Sequence, residues 1–132
     1  MSFNEETISQ VLAMKTWAVV GLGNNPERAA YGVAKLLQDK GHKIVPVYPR
    51  AEEVHGEMGY KTLSEIPFPI DVVDCFVNSK LVGKVVDEAI AIGAKAVWLQ
   101  LDVIDQEAVD RAEAAGLLAI MDRCPAIEYR KR

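Results

Sequence analysis

Trp17-Ala18-Val19-Val20-Gly21-Leu22-Gly23-Asn24-Asn25-Pro26 opens on a short apolar run, breaks into glycines and closes on Asn-Asn-Pro. A helix-compatible segment follows. This is how a buried parallel strand reads when it hands over to a loop that cradles phosphate at a helix N-terminus. Gly21 and Gly23 lack a Cβ, so the backbone can turn sharply and bring its N–H groups close to an anion. The third glycine of a G-x-G-x-x-G pattern is missing, because Pro26 stands in its place. A nucleotide-like ligand is suggested, and the ordinary dinucleotide reading is weakened.

On either side the chain alternates between apolar runs and helical patterns. Ile8, Val11 and Leu12 fall at helical spacing within Glu5 to Met14, which predicts a short lead-in helix. Thr16 to Val20 is the first strand, and Ala29 to Asp39 a helix with Val33, Leu36 and Leu37 on one face, closed by Gly41. Lys43 to Val47 is the second strand, and Ala51 to Pro69 a surface excursion with a short helix around Leu63 to Ile66. Ile70 to Val77, Ala96 to Leu101 and Leu117 to Met121 are the remaining strands, with helices over Leu81 to Ile92 and Asp105 to Ala115 between them. Asp105 is the expected N-cap of the latter. Asp122 to Arg132 reads as a polar, basic tail. Near-continuous apolar strands alternating with helices imply an α/β, three-layer, Rossmann-like domain with a five-stranded, mainly parallel sheet buried on both faces. One domain spanning residues 1–132 is expected, with ligands at the carboxyl edge of the sheet.

Composition narrows the function. With 19 acidic against 15 basic residues the formal charge is −4, which argues against general nucleic-acid binding. No apolar stretch approaches the roughly 20 residues that span a bilayer, and the N-terminus is polar and acidic rather than a signal peptide, so a cytoplasmic location is expected. Cys75 and Cys124 have no metal-ligand spacing, and His42 and His55 stand apart from them, so no metal site is expected. In a reducing compartment both thiols are expected to be free and structural.

The segments just past each strand are the candidate site: Gly21 to Arg28, Tyr48 to Arg50, Val77 to Lys80, Gln100 to Asp102 and Asp122 to Cys124. An NAD domain needs an acid at the tip of the second strand to hold the ribose, whereas Val47-Tyr48-Pro49-Arg50 ends on a cation. Arg50 favours an additional phosphate near the ribose, at the 2′ position in NADP or the 3′ position in coenzyme A. Glu52 and Glu53 follow closely, so a shifted register stays open. Asp71 and Asp74 are three apart and face opposite sides of a strand, so they form no acid–base couple; Asp74 is expected to cap or contact neighbouring backbone. Asp122 and Arg123 are expected to pair with each other or hold the tail. Cys124 beside Arg123 has no histidine near it in sequence, and no catalytic constellation emerges. Taken singly, the glycine turn also fits a plain strand–helix connection, and Arg28 and Arg50 fit solvated charges.

At these same segments the chain resembles the small stand-alone CoA-binding-domain proteins, the YccU-like group, related to the nucleotide-binding half of the succinyl-CoA synthetase α subunit. The resemblance is carried by Val19-Val20-Gly21-Leu22 through Asn25-Pro26-Glu27-Arg28, Val45-Pro46-Val47-Tyr48-Pro49 and Val72-Val73-Asp74-Cys75-Phe76. It continues through Ala89 to Lys95, Val97-Trp98-Leu99-Gln100 and Met121-Asp122-Arg123-Cys124-Pro125. Three places depart from the group's pattern. Ala29-Ala30 replace Pro-Ser, Val77 replaces an arginine and Asp102 replaces a glycine.

The resemblance implies binding of coenzyme A or an acyl-CoA without catalysis. The backbone of Gly21, Leu22, Gly23, Asn24 and Asn25 would hold the pyrophosphate, with Arg28 and Arg50 neutralising phosphate charge. Tyr48 and Pro49 would flank the adenine, while Asn78, Ser79 and Gln100 would line the path of the pantetheine arm. Two alternatives stand beside it. One is an NADP-dependent oxidoreductase or a subunit of one. The other is an interaction module with a vestigial nucleotide pocket, suggested by Val77 and Asp102, that meets a protein partner or a second copy of itself.

Overall fold

Thr16–Val20 is β1, and the alternation of its side chains sets the layers of the molecule. Trp17 and Val19 enter one core, and Ala18 enters another on the opposite face. The computed structural model describes residues 4–132; the part of the N-terminal reading that falls on Met1, Ser2 and Phe3 lies outside the described residues. β1 pairs with β2 (Lys43–Val47) and β3 (Val72–Cys75), β3 with β4 (Ala96–Leu99), and β4 with β5 (Leu118–Ile120). All pairs are parallel and the order is β2-β1-β3-β4-β5, a Rossmann-like α/β sheet. On one face lie α1 (Glu5–Leu12), α2 (Ala29–Asp39) and α5 (Pro125–Arg130); on the other lie α3 (Ser79–Ala91) and α4 (Gln106–Ala114).

The strands stop earlier than their apolar runs do. β3 ends at Cys75 rather than Val77, and β4 at Leu99 rather than Leu101. In each case the backbone leaves the ladder to begin a cap or a turn. Asn78 accepts from the amides of Lys80 and Leu81 at 3.0 and 3.1 Å, so α3 starts at Ser79 instead of Leu81. Asp105 caps α4 as expected, accepting from the Ala108 amide at 3.0 Å. Pro46 sits in β2, an edge strand, with its carbonyl turned outward to accept from Tyr60 at 2.9 Å. Its missing N–H therefore faces away from β1 and costs the ladder nothing.

The expected polar tail is instead a helix. Pro125 sits in the first turn of α5, Ala126 is buried, and Tyr129 packs against the core under α1 and α2. The Tyr129 hydroxyl meets His42 Nε2, whose Nδ1–H donates to the Met14 carbonyl at 2.7 Å. Burial lowers the pKa of His42, which favours the neutral imidazole in this link. Glu128, 1% exposed, is held by Lys131 at 3.2 Å and Arg132 at 3.6 Å, and Arg132 also reaches Glu5 at 2.7 Å.

Asp74 departs furthest from expectation. It lies between Val19 and Trp98 in register, wholly buried, and neither carboxyl oxygen has a partner among the described residues. Asp71, by contrast, accepts from the Thr16 amide at 3.1 Å and lies 3.5 Å from the Lys95 ammonium. Burial pushes the pKa of Asp74 well above the usual carboxylate range. Burial, and secondarily the Asp74 charge, also pushes the Cys75 thiol up, which makes it inert.

The sign of the stability effect follows. The folded protein keeps a proton on Asp74 that the unfolded chain gives up above about pH 3.9. This contribution is complete below that pH. It is lost at about 1.4 kcal/mol per pH unit as pH rises, until the native pKa is passed. Asp74→Leu removes the effect and should be more stable than the parent at pH 8 by about 1–3 kcal/mol. Urea unfolding of both proteins at pH 5 and pH 8 checks this; an equal pH dependence in the two would contradict it.

Candidate functional site

The strand order reverses between β1 and β3, and the loops beyond these strands meet there. Gly21 takes a φ of +100°, its amide donates to the Val47 carbonyl at 2.8 Å, and a Cβ placed on it would stand 2.3 Å from the Phe76 carbonyl oxygen. Leu22 turns its side chain fully into the core, so only its backbone remains for a ligand. Asn25 closes the loop: its Oδ1 accepts from the Glu27 amide at 3.0 Å and its carbonyl from the Arg28 amide at 3.1 Å. Arg28 is then the N-cap position of α2, with no side-chain capping bond.

Three clefts meet at Gly21 and Arg28. The first, about 290 Å³, is bounded by the loop residues Gly23, Asn24 and Asn25 and by Tyr48, Arg50 and Glu52. A second, about 380 Å³, runs along Tyr48 and Pro49 toward α3. The third, about 450 Å³, lies below the first turn of α2 and reaches Phe76, Asn78, Gln100 and Cys124. Ala29, Ala30, Val77 and Asp102, where the sequence parts from the CoA-binding pattern, all border this third cleft.

The sequence-predicted residues divide. Gly21, Gly23, Asn24, Asn25, Arg28, Tyr48, Pro49, Arg50, Asn78 and Gln100 come together along this continuous groove. Neither Arg28 nor Arg50 forms an ion pair with a described residue. Gln100 is 7% exposed and its Oε1 is buried without a partner among the described residues. Ser79 is spent elsewhere: its hydroxyl accepts from the Ile104 amide at 2.9 Å and lies 3.4 Å from the Asp102 carbonyl, tying α3 to the turn after β4. Asn78 borders the groove while its Oδ1 serves the α3 cap. Asp122 receives the Asp102 amide at 2.7 Å, and Arg123 donates back to the Asp122 carbonyl at 3.1 Å.

Glu52 is the residue missing from the sequence-based site. Ala51, at φ +51°, reverses the chain after Arg50, and Glu52 Oε1 accepts from the Asn24 amide at 2.8 Å. A carboxylate of the chain itself thus occupies one of the loop's anion-facing amides. Its place two residues behind Arg50 was visible, but the left-handed turn that aims it was not.

These features define a domain of the Rossmann-like class, with a groove at the carboxyl edge of a parallel sheet. The family profile described as "CoA binding domain" matches residues 15–130, and the chain belongs to that family. It is 36% identical over 115 residues to the uncharacterised protein YneT of Bacillus subtilis, covering 87% of this chain and 85% of YneT. It is 38% identical over 81 residues to the α subunit of ADP-forming acetate–CoA ligase II of Pyrococcus furiosus; those residues are 61% of this chain but 18% of the subunit. The solved structure of a hypothetical protein from Pyrococcus horikoshii OT3 superposes with a TM-score of 0.93 at 39% identity, covering 98% of this chain and 92% of that one. No helix among the described residues is long and apolar enough to cross a membrane.

Gly21 allows the sharpest test of the loop. Gly21→Ala adds a methyl against the Phe76 carbonyl at a positive φ and should cost about 2–4 kcal/mol of stability, as denaturant unfolding would show. Gly32→Ala, where a Cβ meets nothing within 4 Å on α2, should not destabilise the fold. Equal effects would refute the close approach.

Proposed function

We propose that the protein binds coenzyme A or an acyl-CoA and does not transform it. The observation that carries this reading is the junction of three clefts at Gly21 and Arg28, with Arg50 close by and neither guanidinium in an ion pair with a described residue. Loop amides around Gly23 receive the pyrophosphate at the start of α2. Tyr48 and Pro49 flank the adenine, and Arg50 takes the 3′ phosphate through its planar fork. The pantetheine arm runs past Asn78 to Gln100, whose unpartnered Oε1 accepts an amide N–H. Glu52 releases the Asn24 amide when the full cradle forms. Membership of a CoA-binding family supports the ligand class.

A dinucleotide is the competing ligand, and Glu52 is the observation in its favour. An acid that reaches the glycine loop stands where a Rossmann domain reads the ribose hydroxyls. Calorimetric titration with CoA, acetyl-CoA, NAD and NADP separates the two readings. CoA should bind more tightly than either dinucleotide; no heat from CoA or acetyl-CoA at millimolar ligand overturns the proposal.

Arg50→Ala should weaken CoA about 3- to 30-fold, a range set by a partly exposed charge-assisted hydrogen bond. It should leave dephospho-CoA, which lacks the 3′ phosphate, nearly unaffected. An equal loss for both ligands would remove Arg50 from that role.

A further inference from the structure

We infer that the 450 Å³ cleft below the first turn of α2 receives the acyl end of the ligand, and that it selects an uncharged aliphatic acyl group over one ending in a carboxylate. This rests on the CoA reading above. A ligand anchored by its pyrophosphate at the glycine loop, with its adenine toward Tyr48 and Pro49, directs its other end into the cleft that opens across Gly21 and Arg28.

Much of the wall there is apolar: Ala29, Ala30, Val33, Phe76, Leu101 and Val103. Leu101 is 45% exposed. An aliphatic chain gains by covering such surface, and gains again with each methylene it buries.

Charge works in the same direction. Among the described residues Arg28 is the only cation bordering the cleft, and it is shared with the phosphate cradle. Asp102 stands on the rim with its amide on Asp122 Oδ1 at 2.7 Å, so two carboxyl groups are gathered at that end. Gln100 Oε1, buried with no partner among the described residues, is an acceptor that a pantetheine amide N–H satisfies and an acyl carboxylate does not. A carboxylate placed here would exchange water for the neutral side-chain amides of Asn78 and Gln100 beside the Asp102 charge, with Arg28 already engaged by the phosphates.

Butyryl-CoA and succinyl-CoA form a matched pair, because their acyl groups have the same number of carbons and differ in a terminal methyl or carboxylate. Calorimetry should find butyryl-CoA bound about tenfold or more tightly than succinyl-CoA, the scale of an unpaired charge placed in an apolar cleft. Asp102→Asn keeps a residue that tolerates the φ of +67° and removes the charge, so it should narrow that gap by about threefold or more. Equal affinities, a preference for succinyl-CoA, or a gap that Asp102→Asn leaves unchanged would overturn the inference. Failure of free CoA to bind would bring down the CoA reading as well, whereas CoA binding with no discrimination between the thioesters would bring down the acyl selection alone.

Discussion

Between β1 and β3 two loops approach so closely that only a hydrogen fits between the Gly21 Cα and the Phe76 carbonyl. The groove depends on that approach. β2 lies on one side of β1 and β3 on the other, and the connecting helices α2 and α3 leave toward opposite faces of the sheet. The two chains leaving β1 and β3 therefore diverge from a point of contact, and the space that opens between them borders all three clefts. A parallel sheet with this strand order supplies the divergence; the glycine supplies the contact. Gly23 extends the same economy of space, with the Tyr48 ring and the Glu52 carboxylate lying close to where its Cβ would be.

Charge is distributed unevenly along the groove. Its middle carries two guanidiniums, while one wall contributes Glu52 to the Asn24 amide and the far rim gathers Asp102 and Asp122. Both rim acids adopt left-handed backbone, at φ +67° and +61°, a conformation that aspartate tolerates better than most side chains. The turns that terminate β4 and β5 thus place negative charge at the edge of the site. Beneath the sheet surface Asp74 lies where burial disfavours its charge and no described residue partners its carboxyl oxygens.

The architecture was legible in the sequence because it rests on local signals: buried apolar strands, glycine at the first loop and the Asp105 cap. All five strands were placed, with ends one or two residues long where turns interrupted apolar runs. Helix α5 was overlooked because it is short and six residues long, and its polar composition hid the burial of Ala126 and Glu128. Pro125 in its first turn was the available signal. The groove's backbone and arginines were legible because they follow strands directly. Glu52 and the diversion of Ser79 depend on contacts 28 and 25 residues apart, which no spacing encodes. Asp74 was expected to find backbone, but the neighbouring ladders already use it.

Pro46 and Tyr60 have a consequence beyond the strand they finish. An open parallel sheet has two margins at which unpaired backbone can recruit another chain. At the β2 margin a proline removes one donor and the returning excursion takes up the neighbouring groups, with Tyr60 donating to Pro46 and accepting from Tyr48. At the other margin β5 offers only three residues. The surface excursion thereby acts as a hem: it keeps the sheet from growing sideways into its neighbours while leaving the carboxyl edge clear for a ligand.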